Sequence, residues 1–255
     1  MAVDEAILEA AGREDVPPTL RLYAWEPPCL SLGYAQSVED ADEAALERRG
    51  WGLVRRPTGG RAILHTDEVT YSICGPHGNP LLQGSVLESY RRISAALLEA
   101  LRNLGVPAEA FSHPSAAPDN DPKGPVCFEV PSNYEITVGG KKLIGSAQAR
   151  KRVGVLQHGS LPLGGDLGRI TQVLAFRDAA AREQAARRLL ARATTLEAAL
   201  GREVSWEEAA EALVQAFSAR LGGRLVEGEL SPGERARAEA LLGEKYANPR
   251  WLQRV

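Results

Sequence analysis

Hydrophobic positions along the chain recur with two different periods, and the changes of period mark its elements. Leu20-Arg-Leu-Tyr-Ala-Trp25 alternates with period two and predicts a strand, followed after Pro27-Pro28 by a second strand at 30–34. Strands are also expected at 52–56, 62–65 and 68–74, and at 134–138 and 141–144 on either side of Gly139-Gly140. Helical spacing takes over at 85–104. There Val86, Tyr90, Ile93, Leu97, Leu101 and Leu104 form one stripe, and Ser85 with Glu88 makes a capping box. Shorter helices are predicted at 3–11, with Ile7 and Leu8 inward, and at 40–50, where Gly50 is the stop. Residues 169–176, 178–192 and 205–221 also read as helices, the last with a second capping box at Ser205 and Glu208. Ser231-Pro-Gly-Glu234 opens a final helix toward Tyr246. Residues 111–123, rich in Pro, Asp, Asn and Ser, read as a loop. No repeat, heptad run or linker divides the chain. The expectation is one α+β domain over 1–255, a mixed β-sheet flanked by helices, with 200–255 as a helical C-terminal extension.

The paired glycines at 139–140 are a strong signature of a two-residue hairpin turn. In that register Val138 faces Lys141, Thr137 faces Lys142 and Ile136 faces Leu143. Successive strand residues alternate, so Lys141 and Lys142 point to opposite faces, and Lys142 shares its face with Ile144. A lysine so placed is either an exposed strand lysine or one aimed into a pocket. Cys127 lies shortly before the hairpin, between Pro125 and Pro131, which hold the backbone extended. The same alternative applies to its thiol. It is an inert core group or, beside an ammonium such as that of Lys142, a thiolate nucleophile.

Pro57-Thr-Gly-Gly60 joins two of the expected strands. Paired glycines make a tight turn, or they let the backbone approach a ligand and offer it amide hydrogens. His65, Asp67 and Glu68 have the donor types of a metal site but the wrong spacing, and His65 reads as a hydrogen-bonded residue at a strand end. His113 is expected to be exposed, and Cys29 and Cys74 to be small packing residues.

Composition narrows the function classes. Hydrophobic residues make up 44% of the 255 and charged residues 25%, as in ordinary soluble domains. A formal net charge of −3 gives no electrostatic case for nucleic acid or an anionic membrane. No apolar run approaches the ~20 residues that span a bilayer, and Asp4 and Glu5 stand where a signal peptide carries basic residues. Three widely spaced cysteines fit neither a disulfide framework nor a zinc cluster. A cytoplasmic protein is expected.

The segment 127–163, Cys-Phe-Glu-Val-Pro-Ser-Asn-Tyr-Glu through Lys-Leu-Ile-Gly-Ser-Ala-Gln to Gln-His-Gly-Ser, resembles the core of the lipoate/octanoate protein-transferase family, in particular its octanoyltransferase LipM type. Leu20 to Pro28, Val54-Arg-Arg-Pro-Thr-Gly-Gly-Arg-Ala62, Glu244-Lys-Tyr246 and Trp251 agree with it, so the likeness covers nearly the whole chain. The resemblance implies a strand before the first helix, and either the start is assigned late or this version lacks that edge strand.

The resemblance implies a biotin/lipoate ligase-like fold and an acyl transfer with no cofactor and no metal. Cys127 would take the octanoyl group from octanoyl-acyl carrier protein as a thioester. A lysine of the glycine cleavage H protein, or of a lipoyl domain of a 2-oxoacid dehydrogenase, would then accept it. Lys142 would lower the pKa of Cys127 and shuttle protons. Substrate contacts are expected from Arg56, Gly59, Gly60, Arg61, Tyr71, Gly145, Ser146, Ala147, His158 and Gly159. Amides of a Gly145-Ser146 turn would serve an oxyanion, and residues around Leu64, Tyr71 and Leu156 the acyl tail. The alternatives are an ATP-dependent lipoate ligase, an octanoyl-H-protein amidotransferase and a non-catalytic homologue that binds lipoyl domains. Arg61, where ligases usually carry a third glycine, favours the transferase.

Overall fold

A computed structural model describes residues 1–111, 135–221 and 225–255. Its strands form two sheets. In the larger, β1 (Thr19–Tyr23), β5 (Glu68–Gly75), β9 (Gly154–Pro162), β8 (Lys141–Lys151), β7 (Glu135–Val138) and β6 (Glu109–Phe111) lie in that order, every pairing antiparallel. In the smaller, β2 (Cys29–Leu32) lies between β3 (Gly52–Arg55), to which it is parallel, and β4 (Ile63–His65), to which it is antiparallel. The expected α+β class holds, while the mixed pairing is confined to the small sheet.

Strand alternation gives the large sheet two different faces. Val69, Tyr71, Ile73, Ile136, Leu143 and Leu161 pack with α3 (Val86–Asn103) and α6 (Trp206–Leu221) in the main core. The other face carries Thr70, Ser72, Cys74, Leu156, His158 and Ser160. Part of it is covered by α1 (Ala2–Gly12), whose Ile7 and Leu8 pack on Cys74 and Leu156. Leu30, Leu32 and Ala62 of the small-sheet region build a second core with α2 (Glu43–Arg48), α4 (Ala179–Arg192) and the 3-10 turn Leu167–Gln172. α5 (Leu196–Leu200) is a short helix outside the sequence-based assignment, as is β6. α7 (Pro232–Leu241) packs on α1, and α8 (Pro249–Leu252) on β3.

Both strong caps form as expected: Ser85 with Glu88 and Ser231 with Glu234 make reciprocal capping boxes. Ser205 accepts from the Glu208 amide at 3.1 Å, but the Glu208 carboxylate is taken by Arg202, so that box is only half made. No described helix is long and apolar enough to cross a membrane.

Candidate active site

The glycine turn at 139–140 has left-handed φ values of 55° and 76°, as a two-residue hairpin requires. Val138 pairs with Lys141 and Thr137 with Lys142, as the spacing predicts. Beyond them a bulge intervenes, and Ile136 pairs with Ile144 rather than Leu143. The side chain of Lys141 is exposed, its Nζ donating to the Leu190 carbonyl at 3.1 Å. Lys142 is buried, and its Nζ donates to Glu135 Oε1 at 2.8 Å. Cys127 and His113 lie outside the described residues.

Gly145 and Ser146 do not form a turn. They lie inside β8 opposite Ser160 and Gly159, at the point where β8 leaves β7 and begins to pair with β9. The strand continues because β9 carries its own glycine opposite Ser146. A Cβ on Gly159 would stand 2.6 Å from the Gly145 carbonyl oxygen and 2.6 Å from the Tyr71 ring.

A cavity of about 400 Å³, counting its open mouth, lies where the loop 57–60 approaches the large sheet. Arg56, Gly59 and Gly60 form one wall, and Gly145, Ser146, Ala147, His158 and Gly159 the other. Eight of the ten expected substrate contacts thus meet around one space. Arg61 contributes its carbonyl, which accepts from Arg56 at 2.6 Å, but its side chain does not line the cavity. Tyr71 points to the opposite face. Its register partner is Gly159, its phenol bonds Ser146 Oγ at 2.7 Å, and burial pushes its pKa up to about 12. Leu156 faces α1, and Leu64 lies in the second core, so neither forms this cavity.

His158 reaches Thr58 with Nε2 to Oγ1 at 2.6 Å, tying the sheet wall to the loop wall. Burial drives its pKa down to about 3, so the ring is neutral near pH 7. Arg56 is buried and donates to Ser31, Gly59 and Arg61, fixing the loop from behind. Sequence reasoning did not assign His65, Thr70 and Ser160 to the lining. Their signal was alternation: His158 and Ser160 share a face two residues apart, and Thr70 pairs with Ser160. As expected, His65 is a hydrogen-bonded strand-end residue, with Nδ1 2.6 Å from Glu68 Oε1 and Nε2 2.8 Å from Ser31 Oγ. Among the described residues no cluster of three or more His, Cys, Asp or Glu side chains could hold a metal ion.

Cys29 and Cys74 are both buried, and burial pushes the Cys29 thiol up to about 12 and that of Cys74 upward as well. Neither is equipped to be a thiolate at neutral pH.

Comparison with known proteins identifies the family. The lipoyl protein ligase A/B catalytic domain matches residues 1–218. Octanoyltransferase LipM of Kyrpidia tusciae is 46% identical, the match covering 100% of this chain and 93% of the relative. That of Symbiobacterium thermophilum is 43% identical over the same shares. Among solved structures, a lipoate-protein ligase A bound with ATP superposes with a TM-score of 0.78 at 25% identity, over 99% of this chain and 92% of the other. A bipartite lipoate protein ligase from Thermoplasma acidophilum gives a TM-score of 0.79 at 23% identity, over 99% and 91%, which speaks for the fold alone. The chain belongs to the lipoyl protein ligase A/B catalytic-domain family, on its octanoyltransferase LipM branch.

Proposed function

We propose that the protein is a cytoplasmic acyltransferase that moves an octanoyl group from octanoyl-acyl carrier protein to a lysine of a lipoyl-domain acceptor, such as the glycine cleavage H protein. The observation that carries this reading is the full-length likeness to octanoyltransferases LipM, joined to a cavity walled by the glycine loop and the Gly-Ser-Ala and His-Gly segments. Cys127 is the nucleophile. Its thiolate attacks the thioester carbonyl, the bond to the carrier sulfur breaks, and that thiol leaves with a proton. The amine of the acceptor lysine then attacks the enzyme thioester. An amide forms, and Cys127 is released as a thiol. Thioester exchange is nearly neutral and amide formation is downhill, so no nucleotide is needed. The buried, high-pKa state of Cys29 and Cys74 supports the choice of Cys127 among the three cysteines. Lys142, held by Glu135, stabilises the thiolate and exchanges protons with the departing thiol.

The test is the intact mass of the protein after incubation with octanoyl-acyl carrier protein and no ATP. The expected result is one octanoyl adduct that hydroxylamine removes and Cys127→Ala abolishes, while Cys29→Ala and Cys74→Ala retain it. The likeness to a ligase bound with ATP favours a second reading, an ATP-dependent ligase. An adduct that appears only with octanoate and ATP would establish that reading instead.

A further inference from the structure

A second cavity, of about 490 Å³ with its mouth, lies on the far side of β4. Ile63 belongs to the lining of both cavities. We propose that the Ile63 side chain sets the length of acyl chain the protein accepts, an inference that rests on the reading of the first cavity as the acyl site.

The partition between the two spaces has a polar part and an apolar part. In the polar part His65 faces the first cavity and Glu68 the second, joined Nδ1 to Oε1 at 2.6 Å. Glu68 also accepts from the hydroxyls of Thr70 and Ser160, and Trp25 stacks on His65 with ring centroids 4.2 Å apart. Each group there is satisfied. Pushing an alkyl tail through it would leave a buried carboxylate short of its partners, which is strongly unfavourable. The apolar part is Ile63. Behind it the second cavity is lined by Leu64, Pro162, Leu167, Ile170 and Leu189, with Thr66, Asp166, Glu68 and Asp67, the last paired with Arg169, as its polar side. Methylenes gain free energy only against apolar surface. A chain that outgrows the first cavity reaches the apolar lining of the second past Ile63, the residue the two linings share, and the volume of that side chain decides how many carbons fit.

The experiment compares hexanoyl, octanoyl, decanoyl and dodecanoyl carrier-protein donors in competition, reading acylated acceptor by mass. Ile63→Ala removes three carbons and is expected to raise the decanoyl-to-octanoyl ratio of kcat/KM about tenfold, the scale on which apolar pockets discriminate single methylenes. Ile63→Phe is expected to move the preference toward hexanoyl, and Ile63→Val to give a smaller shift in the direction of Ile63→Ala. Adding Leu167→Phe to Ile63→Ala refills the second cavity and returns the profile to octanoyl. Unchanged profiles in Ile63→Val and Ile63→Phe, with melting curves showing both folded, overturn the proposal. Retention of long chains in the double variant overturns the route past Ile63. A wild-type protein that accepts no acyl donor would instead overturn the proposed function.

Discussion

The sheet wall of the cavity gains its room where β8 carries a glycine and an alanine, whereas the loop wall is held by two buried guanidinium groups. On the sheet side Gly145 and Ala147 leave room simply by lacking atoms, while the missing side chain of Gly159, on the other face, lets Tyr71 and the Gly145 carbonyl come close. On the loop side Arg55 donates to the carbonyls of Gly33, Tyr34, Gln36, Trp251 and Leu252, and Arg56 to those of Ser31, Gly59 and Arg61. Carbonyls pointing inward from several loops would be costly if unpaired, and a guanidinium with five donors satisfies many at once. The loop wall thus depends on long-range anchors that reach the C-terminal residues. The sheet wall depends on local steric fit. The two should fail differently.

The largest effect is expected on the sheet wall. Gly159→Ala puts a Cβ 2.6 Å from the backbone oxygen of Gly145, which cannot turn aside as a side chain can. Overpacking of this kind costs about 3 kcal/mol, and the shift of β8 moves Gly145 and Ala147 at the cavity. Urea unfolding should show the lost stability, and acyl transfer should fall with it. A variant with wild-type stability and rate would mean that β8 relaxes freely and that this wall does not define the cavity.

The loop wall gives a smaller and differently shaped loss. Arg56→Lys keeps the charge but cannot reach Ser31, Gly59 and Arg61 together. Charged hydrogen bonds are worth about 1.5–3 kcal/mol each, and the flexible lysine recovers some of them. The expected outcome is about 2 kcal/mol less stability and a raised KM for the acyl donor, with kcat little altered. Equal losses in kcat and kcat/KM would instead place Arg56 in the transition state.

This division explains what the sequence could and could not disclose. Local rules were legible. The Ser85 and Ser231 caps, the Gly139-Gly140 turn and the opposed faces of Lys141 and Lys142 each depend on a few neighbouring residues. Motif resemblance brought eight cavity residues together because they belong to three contiguous stretches. Orientation within a strand was not legible without its partners. Tyr71 shares its face with Gly159 and the main core, while Thr70, one residue earlier, lines the cavity. The bulge beside Ile136 is silent in a pattern where hydrophobic residues continue on both sides of it. Glu208 has the right spacing for a capping box, but Arg202 competes for its carboxylate from outside the helix. Two sheets rather than one follow from the pairing of β2 with β3 and β4, which no local signal encodes.

The smallest effect concerns His158, the residue that joins the two walls, and it emerges only on acidification. Its native pKa is pushed by burial from 6.5 to about 3, while the unfolded chain keeps the ordinary value. The folded state therefore binds the proton less readily, so stability is greatest above about pH 6.5 and declines as pH falls toward 3. Between those limits one proton is taken up on unfolding, and the slope is about 1.4 kcal/mol per pH unit. Asp4 and Glu5 do not confuse the upper part of this window. Burial opposes their ionisation, but the N-terminal amine and Arg21 around Asp4, and Lys151 and Lys245 around Glu5, outweigh it and hold both near 2. Their contributions are lost only below about pH 4.5. Urea unfolding of the wild type at pH 6.5, 5.5 and 4.5 should show that decline. In His158→Asn stability should be lower by about 1 kcal/mol at pH 7, for the lost Thr58 hydrogen bond, and nearly flat across the same range. Parallel slopes in the two proteins would mean that His158 is not the group titrating, and that the join between the walls is open to water.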